Sequence, residues 1–202
     1  MKTNDEMVDY LIAAGALHSK NIIEAFRNVD RADFVSQKDS FDIYEDYPLS
    51  IGKGQTISQP RTVAMMMEML SPKKGEKILD IGSGSGWTTA LLAYIVQDNG
   101  FVIGIERIPE LVNFGNANLK KYSFKNAKII KATNKLGIEG EEFDRILVSA
   151  SADEFPDELS KQLKIGGKIV IPVQHSIYEM RKNHNATLEG IEHYGFSFVP
   201  LL

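Results

Sequence analysis

A short stretch with two hydroxyl side chains stands before a run of glycines, and both stretches contain residue types that bind small ligands. In GQTISQP, Thr56 and Ser58 lie on either side of Ile57. A turn alone needs only glycine and proline. The two hydroxyls can therefore act as donors for an anion. The alternative is that they cap a helix beginning near Pro60.

The second stretch, LDIGSGSGW, is an apolar strand followed by three closely spaced glycines and a helical pattern. In an open parallel sheet, ligands bind beyond the carboxyl end of such a strand. Glu106 ends the next apolar run, and an acid at that position can accept hydrogen bonds from ribose hydroxyls. The pattern predicts a nucleoside-containing cofactor. The alternative is that the glycines only form a tight turn.

The glycine spacing distinguishes between candidate cofactors. A dinucleotide motif, G-x-G-x-x-G, needs a third glycine where this chain has Trp87. Asp80, just before the loop, would repel a pyrophosphate but can support a ligand amino group. S-adenosylmethionine fits better, because it carries an amine, a sulfonium and a ribose but no phosphate. We assign its binding to these residues: Asp80, Gly82, Ser83, Gly84, Gly86 and Glu106.

Alternating helices and strands must position these residues. The periodicity predicts helices in the first third of the chain, over 5–17, 20–28 and 60–70, with a loop-rich stretch over 37–60. Further on it predicts strands at 76–82, 100–106, 127–132, 145–150 and 168–173, and helices at 87–97, 109–122 and 153–163. A closing hairpin is predicted for 185–202. The fold class is therefore α/β, a doubly wound and mostly parallel sheet with N-terminal helices.

Composition limits the possible functions. The chain has 202 residues, 43% hydrophobic and 25% charged, which is typical of one globular domain over 1–202. We divide it into a helical and loop cap, 1–60, and a nucleoside-binding core, 61–202. The absence of cysteine excludes thiol nucleophiles and disulfides, and the four scattered histidines lead us to predict no metal. The net charge of −4 without a basic stripe argues against nucleic acid.

The N-terminal segment does not resemble a signal peptide, because its apolar stretch is short and acids precede it. No run approaches the 18 apolar residues of a membrane span. We therefore predict a cytoplasmic protein that does not bind membranes, and we expect a monomer.

From about residue 20 to the C-terminus, the chain resembles the protein-L-isoaspartate O-methyltransferase family. The matching segments are YEDYPLSIGKGQTISQP, ILDIGSGSGW, IERIPEL, FDRILVSASADEFPDELSKQLKIGGKIVIPV and FVPL. The resemblance implies methyl transfer from S-adenosylmethionine to the free carboxylate of isoaspartyl residues in damaged proteins or peptides, which is a repair reaction. It also implies a Rossmann-like methyltransferase variant with altered order and direction in the last strands.

A carboxylate substrate explains the hydroxyls of the opening loop. A carboxyl group has a pKa of about 4, so at neutral pH it is already ionised and needs neither a general base nor a metal. It must be held in line with the methyl donor at about 3 to 3.5 Å. The resemblance places the catalytic serine at Ser58, and we assign Thr56 and Ile57 with it to the substrate site.

The chain departs from the family after the third predicted strand of the alternating region. The family usually has Gly-Asp-Gly there, and its Asp helps to hold the adenine amine. This chain has Ala132, Thr133 and Asn134. Thr133 or Asn134 can still bond adenine, because each side chain offers an oxygen. The lost charged acceptor would weaken binding by about 1 to 2 kcal/mol, roughly tenfold.

Three functions remain open from the sequence. The first is a carboxyl methyltransferase acting on isoaspartyl peptides. The second is a methyltransferase of the same fold that modifies Asp or another group in a dedicated peptide or small molecule. The third is a catalytically weak nucleoside-binding module. The intact TISQP stretch, glycine loop and Glu106 favour an enzyme over a binding module.

Overall fold

The computed structural model describes residues 1–36 and 42–201, which contain a seven-stranded sheet, a separate two-stranded hairpin and flanking helices. The helices are α1 (Asn4–Ala13), α2 (Lys20–Asn28), α3 (Pro60–Leu70), α4 (Trp87–Val96), α5 (Pro109–Lys120) and α6 (Asp157–Lys161). The strands are β1 (Leu49–Gly52), β2 (Gln55–Ile57), β3 (Lys77–Ile81), β4 (Phe101–Glu106), β5 (Ala127–Lys131), β6 (Phe143–Val148), β7 (Leu163–Val173), β8 (Ser176–Lys182) and β9 (Leu188–Tyr194).

The large sheet has the order β5-β4-β3-β6-β7-β8-β9. The pairs from β5 to β7 are parallel, and β8 and β9 are antiparallel to their neighbours. The chain moves outward from β3 to β5 and then returns to place β6 on the other side of β3. This reversal opens a crevice at the carboxyl ends of β3 and β6, where ligands bind in such sheets. The predicted α/β class and mostly parallel sheet are confirmed.

Two hydrophobic clusters lie on opposite faces of the sheet, because successive strand residues point to opposite sides. Ile78 packs in the cluster that contains residues of α1 to α5, and Leu79 packs in the cluster that contains Leu159 of α6. Both β3 side chains are fully buried. The second face is covered by the short α6 and by loop residues such as Leu136 and Ile138. The helices therefore cover the two faces unequally.

The stretch predicted as loop over 37–60 contains a hairpin. Strands β1 and β2 pair antiparallel, with Leu49 opposite Ile57, and positive φ angles at Lys53 and Gly54 make the turn. These strands are too short and too rich in glycine to produce a recognisable period in the sequence. The rest of that stretch includes residues 37–41, which lie outside the described residues.

The predicted closing hairpin over 185–202 is placed wrongly. The hairpin is β8–β9, and its first strand precedes the predicted range. Residues 195–201 return instead to the carboxyl edge of the large sheet. There Ser151 donates its N–H to the Val199 carbonyl at 2.8 Å, and Leu201 donates to the Ser151 carbonyl at 2.7 Å.

The helix predicted at 60–70 is confirmed by α3, and the one predicted at 153–163 is reduced to the five residues of α6. Within the described residues, no helix has the length and apolar character needed to cross a membrane. The division into a cap of 1–60 and a core of 61–202 stays a prediction.

Candidate active site

A cavity of about 420 Å³ lies at the carboxyl ends of β3 and β4, within the size range of small-molecule sites. It brings together most of the predicted site residues: Thr56, Ile57, Ser58, Gly82, Ser83, Gly84, Glu106, Thr133 and Asn134. Asp80 and Gly86 are not among the described residues that line it. The structure thus joins the hydroxyl stretch and the glycine loop in one site.

Two positions of the glycine loop have little room for a side chain. Gly84 has φ +51°, and a Cβ there would stand 3.1 Å from Cδ1 of Ile51 in β1. Gly86 is the N-cap of α4 with φ +87°, and its Cβ would meet the Gly115 carbonyl of α5 at 3.2 Å. Gly86 therefore serves the close approach of α4 and α5, while Gly84 lines the cavity under the hairpin.

The carboxylate of Glu106 ends β4 and holds the glycine loop in place. Glu106 as a whole is only 6% exposed. Oε2 accepts the N–H of Gly84 at 3.0 Å, and Oε1 accepts the N–H of Ile108 at 2.9 Å. Each carboxylate oxygen has a second lone pair. Glu106 can therefore position the loop and still accept two hydroxyl donors from a ligand.

Asp80 lies behind the loop and is fully buried. Its Oδ2 accepts the hydroxyls of Thr88 at 2.8 Å and Thr89 at 2.6 Å, while Oδ1 has no partner among the described residues. Burial raises the pKa of Asp80 to about 6, although the two threonine hydroxyls oppose the shift. Thr88 lines the cavity, so its hydroxyl connects the buried Asp80 carboxylate to the cavity wall. The sequence analysis missed this contact.

Ser58 follows β2 directly and lines the same cavity as the glycine loop. Its hydroxyl forms no hydrogen bond with any described residue. The N-cap of α3 is Gln59, and the helix N-terminus is bonded instead by Asp46, whose Oδ1 accepts the N–H of Arg61 at 2.9 Å. The alternative that Ser58 caps α3 is therefore wrong. Thr56 does not cap it either, because it pairs with Ser50 in the hairpin.

Behind Ser58 lies Arg31, whose relative exposure is 0%. Its Nη1 donates to the Ser58 carbonyl at 2.7 Å, and the guanidinium stands 4.8 Å from the ring centroid of Trp87. Burial lowers the pKa of Arg31 to about 9, and the charge of Asp46 opposes that shift, so the group remains charged at neutral pH. The sequence analysis missed Arg31, because an arginine in the run VDRADFV carries no sign of burial.

The rest of the cavity wall includes segments that are far away in the chain and that the sequence analysis did not assign. Ser149 and Ala150 follow β6, and Val199, Pro200 and Leu201 come from the returning C-terminal segment. The only signal for these last residues is the FVPL match, which indicated a family position without a role.

Comparisons with known proteins agree with this geometry. The model of the family described as protein-L-isoaspartate(D-aspartate) O-methyltransferase matches residues 2–202. The chain belongs to this family. A protein-L-isoaspartate O-methyltransferase from Methanopyrus kandleri is 39% identical, covering 100% of this chain and 92% of the relative. Another, from Archaeoglobus fulgidus, is 43% identical, covering 91% of this chain and 86% of the relative.

A solved structure extends the likeness to the fold. The crystal structure of a protein-L-isoaspartate O-methyltransferase from Plasmodium falciparum, in complex with S-adenosyl-L-homocysteine, has a TM-score of 0.89 at 28% identity. It covers 100% of this chain and 99% of its own. The whole described fold, including the antiparallel end of the sheet, is therefore that of a protein-L-isoaspartate methyltransferase.

The segment that departs from the usual family pattern lies at the mouth of the cavity. Thr133 and Asn134 are exposed and line it, and Thr133 Oγ1 accepts the N–H of Lys135 at 3.2 Å. Gln162 holds the segment that follows Asn134 by two hydrogen bonds to its backbone. Its Nε2 donates to the Leu136 carbonyl at 2.9 Å, and its Oε1 accepts the N–H of Ile138 at 2.7 Å. A neutral pair of side chains is thus held at the position where the resemblance led us to expect an acid.

Proposed function

We propose that the protein uses S-adenosylmethionine to methylate the free carboxylate of isoaspartyl residues in damaged proteins or peptides. One observation carries the proposal: the Ser58 hydroxyl, without a partner among the described residues, faces the same cavity as a glycine loop held by Glu106. Family membership and the Plasmodium structure with S-adenosyl-L-homocysteine support the choice of methyl donor.

The polar groups of the cavity fit this cofactor. Glu106 offers two free lone pairs to ribose hydroxyls, and Asp80, acting through Thr88, places a negative charge near a ligand ammonium. Thr133 or Asn134 offers a neutral oxygen to the adenine amine. When bound, S-adenosylmethionine supplies a methyl group attached to a sulfonium. When the substrate carboxylate takes the methyl group, the sulfur of the cofactor is left as a neutral thioether.

The substrate side needs donors rather than a base. Among the described residues that line the cavity, the ionisable ones are Glu106, Arg107 and Lys135. We assign the remaining lone pairs of Glu106 to the ribose of the cofactor, and arginine and lysine side chains carry no acceptor, so none of the three serves as a general base for the substrate. A carboxylate nucleophile is already ionised at neutral pH and loses no proton in the reaction. We propose that Ser58 donates its hydroxyl to that carboxylate and orients it, with Thr56 and Ile57 forming the adjoining surface.

Matched peptides test this function. Two peptides that differ only in carrying isoaspartate or aspartate at one position are incubated with protein and radiolabelled S-adenosylmethionine. We expect base-labile methyl ester on the isoaspartyl peptide and little on the aspartyl peptide. Equal transfer to both, or transfer to neither by a protein that binds the cofactor, contradicts the proposal and favours a diverged methyltransferase.

Ligand titration provides an independent check. Calorimetry should show binding of S-adenosylmethionine and S-adenosylhomocysteine, and no binding of NAD. Binding of NAD alone would contradict the cofactor assignment. The cytoplasmic location and the monomeric state stay predictions.

A further inference from the structure

We propose that Arg31 is a positioning residue that sets the place of Ser58 relative to the cofactor loop, and so governs methyl transfer rather than cofactor affinity. This inference rests on the proposed function. It goes beyond it by assigning a role to a buried cation outside the cavity.

The first argument is the cost of burying this charge. Arg31 is 0% exposed, and no described carboxylate lies within salt-bridge distance of it, although the charge of Asp46 acts on it from farther away. Buried charges without a direct ion pair are expensive, and proteins retain them when hydrogen bonds and a specific task compensate. If packing were the only role of Arg31, an apolar side chain at this position would fill the space without the cost of burying a charge.

The second argument is the geometry of its hydrogen bonds. The guanidinium donates from three nitrogens to three backbone carbonyls: Nε to Ile43 at 2.9 Å, Nη1 to Ser58 at 2.7 Å and Nη2 to Tyr47 at 3.2 Å. The bond to Ser58 is the shortest of the three. Arginine alone presents a rigid planar fork of this kind, and lysine cannot reproduce it. One side chain therefore joins the 43–47 segment to the residue that carries the proposed catalytic hydroxyl.

The third argument is the contact between Arg31 and Trp87. The guanidinium carbon lies 4.8 Å from the ring centroid of Trp87, within the range of a cation–π interaction. Trp87 begins α4, directly after the N-cap Gly86 of the glycine loop, and it lines the cavity. Arg31 thus spans the distance between the substrate side, at Ser58, and the cofactor side, at Trp87.

Transfer in line requires the reacting atoms to be held at about 3 to 3.5 Å, and a misplacement of about 1 Å can cost a hundredfold in rate. A loosened Ser58 carbonyl would permit such a displacement without removing any group that touches the cofactor. The expected signature is therefore a fall in kcat with little change in S-adenosylhomocysteine affinity.

The test compares Arg31→Lys with a matched control, Arg145→Lys. Arg145 is also an arginine of low exposure, 9%, and it pairs with Glu76 near the amino ends of β6 and β3, whereas the cavity lies at the carboxyl ends. We expect Arg31→Lys to lower kcat by about tenfold or more and to change the S-adenosylhomocysteine dissociation constant by less than about threefold. Arg145→Lys should lower the melting temperature without changing kcat per folded molecule.

Two further readouts separate positioning from stability. In a Ser58→Ala background, Arg31→Lys should have little additional effect on kcat, because both changes disturb the same hydroxyl. Guanidinium ion at about 10 mM, where its denaturing effect is negligible, should partly restore Arg31→Ala and leave Arg145→Ala unchanged. If Arg31→Ala does not fold, the lysine variant and the double variant decide.

The inference is overturned if Arg31→Lys keeps the wild-type kcat and only melts at a lower temperature. It is also overturned if Arg31→Lys loses cofactor binding in parallel with activity, or does not fold even at low temperature. Wild-type protein is measured in the same peptide assay. An inactive wild type refutes the proposed function, whereas an active wild type beside an equally active Arg31→Lys refutes only the positioning role.

Discussion

The two walls of the cavity treat their polar groups in opposite ways. In the glycine-loop wall, formed by residues 81–85, 87–88 and 105–107 with Asp80 behind them, the carboxylate oxygens of Glu106 and one oxygen of Asp80 already accept donors from the chain. In the serine wall, formed by residues 55–58, 149–150 and 199–201, the Ser58 hydroxyl has no partner within the described part of the chain. The first wall uses its polar groups to maintain a shape, and the second leaves a donor available for substrate.

The largest expected effect is at the serine wall. Ser58→Ala should reduce methyl transfer on the order of a hundredfold, since one lost orienting donor typically costs that much. S-adenosylhomocysteine affinity and melting temperature should change little, because the hydroxyl bonds no described residue. Ser160→Ala, a serine of α6 outside the cavity, is the control. Full activity with a lowered melting temperature would remove Ser58 from catalysis and break the contrast between the walls.

At the glycine-loop wall, Glu106→Ala should weaken S-adenosylhomocysteine binding by about 1.5 to 3 kcal/mol, the usual range for hydrogen bonds to a charged group. It should also lower stability, because the N–H groups of Gly84 and Ile108 lose their acceptor. Calorimetry and thermal unfolding measure the two effects. Glu76→Gln, at a partly buried acid just before the amino end of β3 and away from the cavity, should affect stability alone. Unchanged affinity in Glu106→Ala would exclude Glu106 from the ribose site.

The pH dependence of stability tests the buried charge of the glycine-loop wall. The folded-state pKa of Asp80 is about 6, above its ordinary value of 3.8, because burial disfavours the carboxylate. Between these values the folded state binds more protons than the unfolded state, so Asp80 makes stability fall as pH rises, by up to about 1.4 kcal/mol per pH unit. Above pH 6 the penalty is complete and constant.

Comparison with Asp80→Asn isolates this effect. In denaturant titrations, the variant should gain stability over wild type as the pH rises from about 4 to about 6, and the difference should then stay level. A difference that is the same at every pH would show that the pKa of Asp80 is not raised in the folded state, and would contradict the penalty that we expect from burying its carboxylate.

The smallest expected effect is at the mouth of the cavity. Thr133→Asp should tighten S-adenosylmethionine binding by roughly tenfold at most, because an ionised acceptor makes the stronger hydrogen bond with the adenine amine. Thr133 is exposed, so the new carboxylate remains hydrated and avoids a desolvation penalty. Thr187→Asp adds the same charge in the turn between β8 and β9 and serves as the control. Equal or weaker binding by a folded Thr133→Asp variant would show that adenine is held by other groups.

The glycine-loop wall could be predicted from the sequence because its determinants are local. An apolar run, three glycines and an acid at the end of the next strand lie within about thirty residues, the span of one strand–helix–strand unit. The strands and helices of that unit, from β3 to β4, are where the sequence predicts them. What the local pattern could not show is that Asp80 lies behind the loop and accepts the hydroxyl of Thr88.

The serine wall could be predicted only in part. The TISQP stretch identified Ser58 by type, but the hairpin that carries it has strands of four and three residues, too short for a period. Pro200 and Leu201 reach the cavity because the C-terminal segment pairs with Ser151, a contact between positions far apart in the chain. Arg31 is found only from its burial, and burial is a property of the tertiary structure.

The mixed direction of the large sheet has a consequence for how the protein folds. Strands β7, β8 and β9 are consecutive antiparallel neighbours joined by short turns, so their pairing is local. The cavity instead needs β3 beside β6, with Ile78 opposite Arg145, and such distant pairing forms slowly. We expect the antiparallel end of the sheet to acquire hydrogen-exchange protection early in refolding, and the ligand-binding end to acquire it last. The molecule would then pass through a partly folded state that has much of its sheet and no affinity for cofactor.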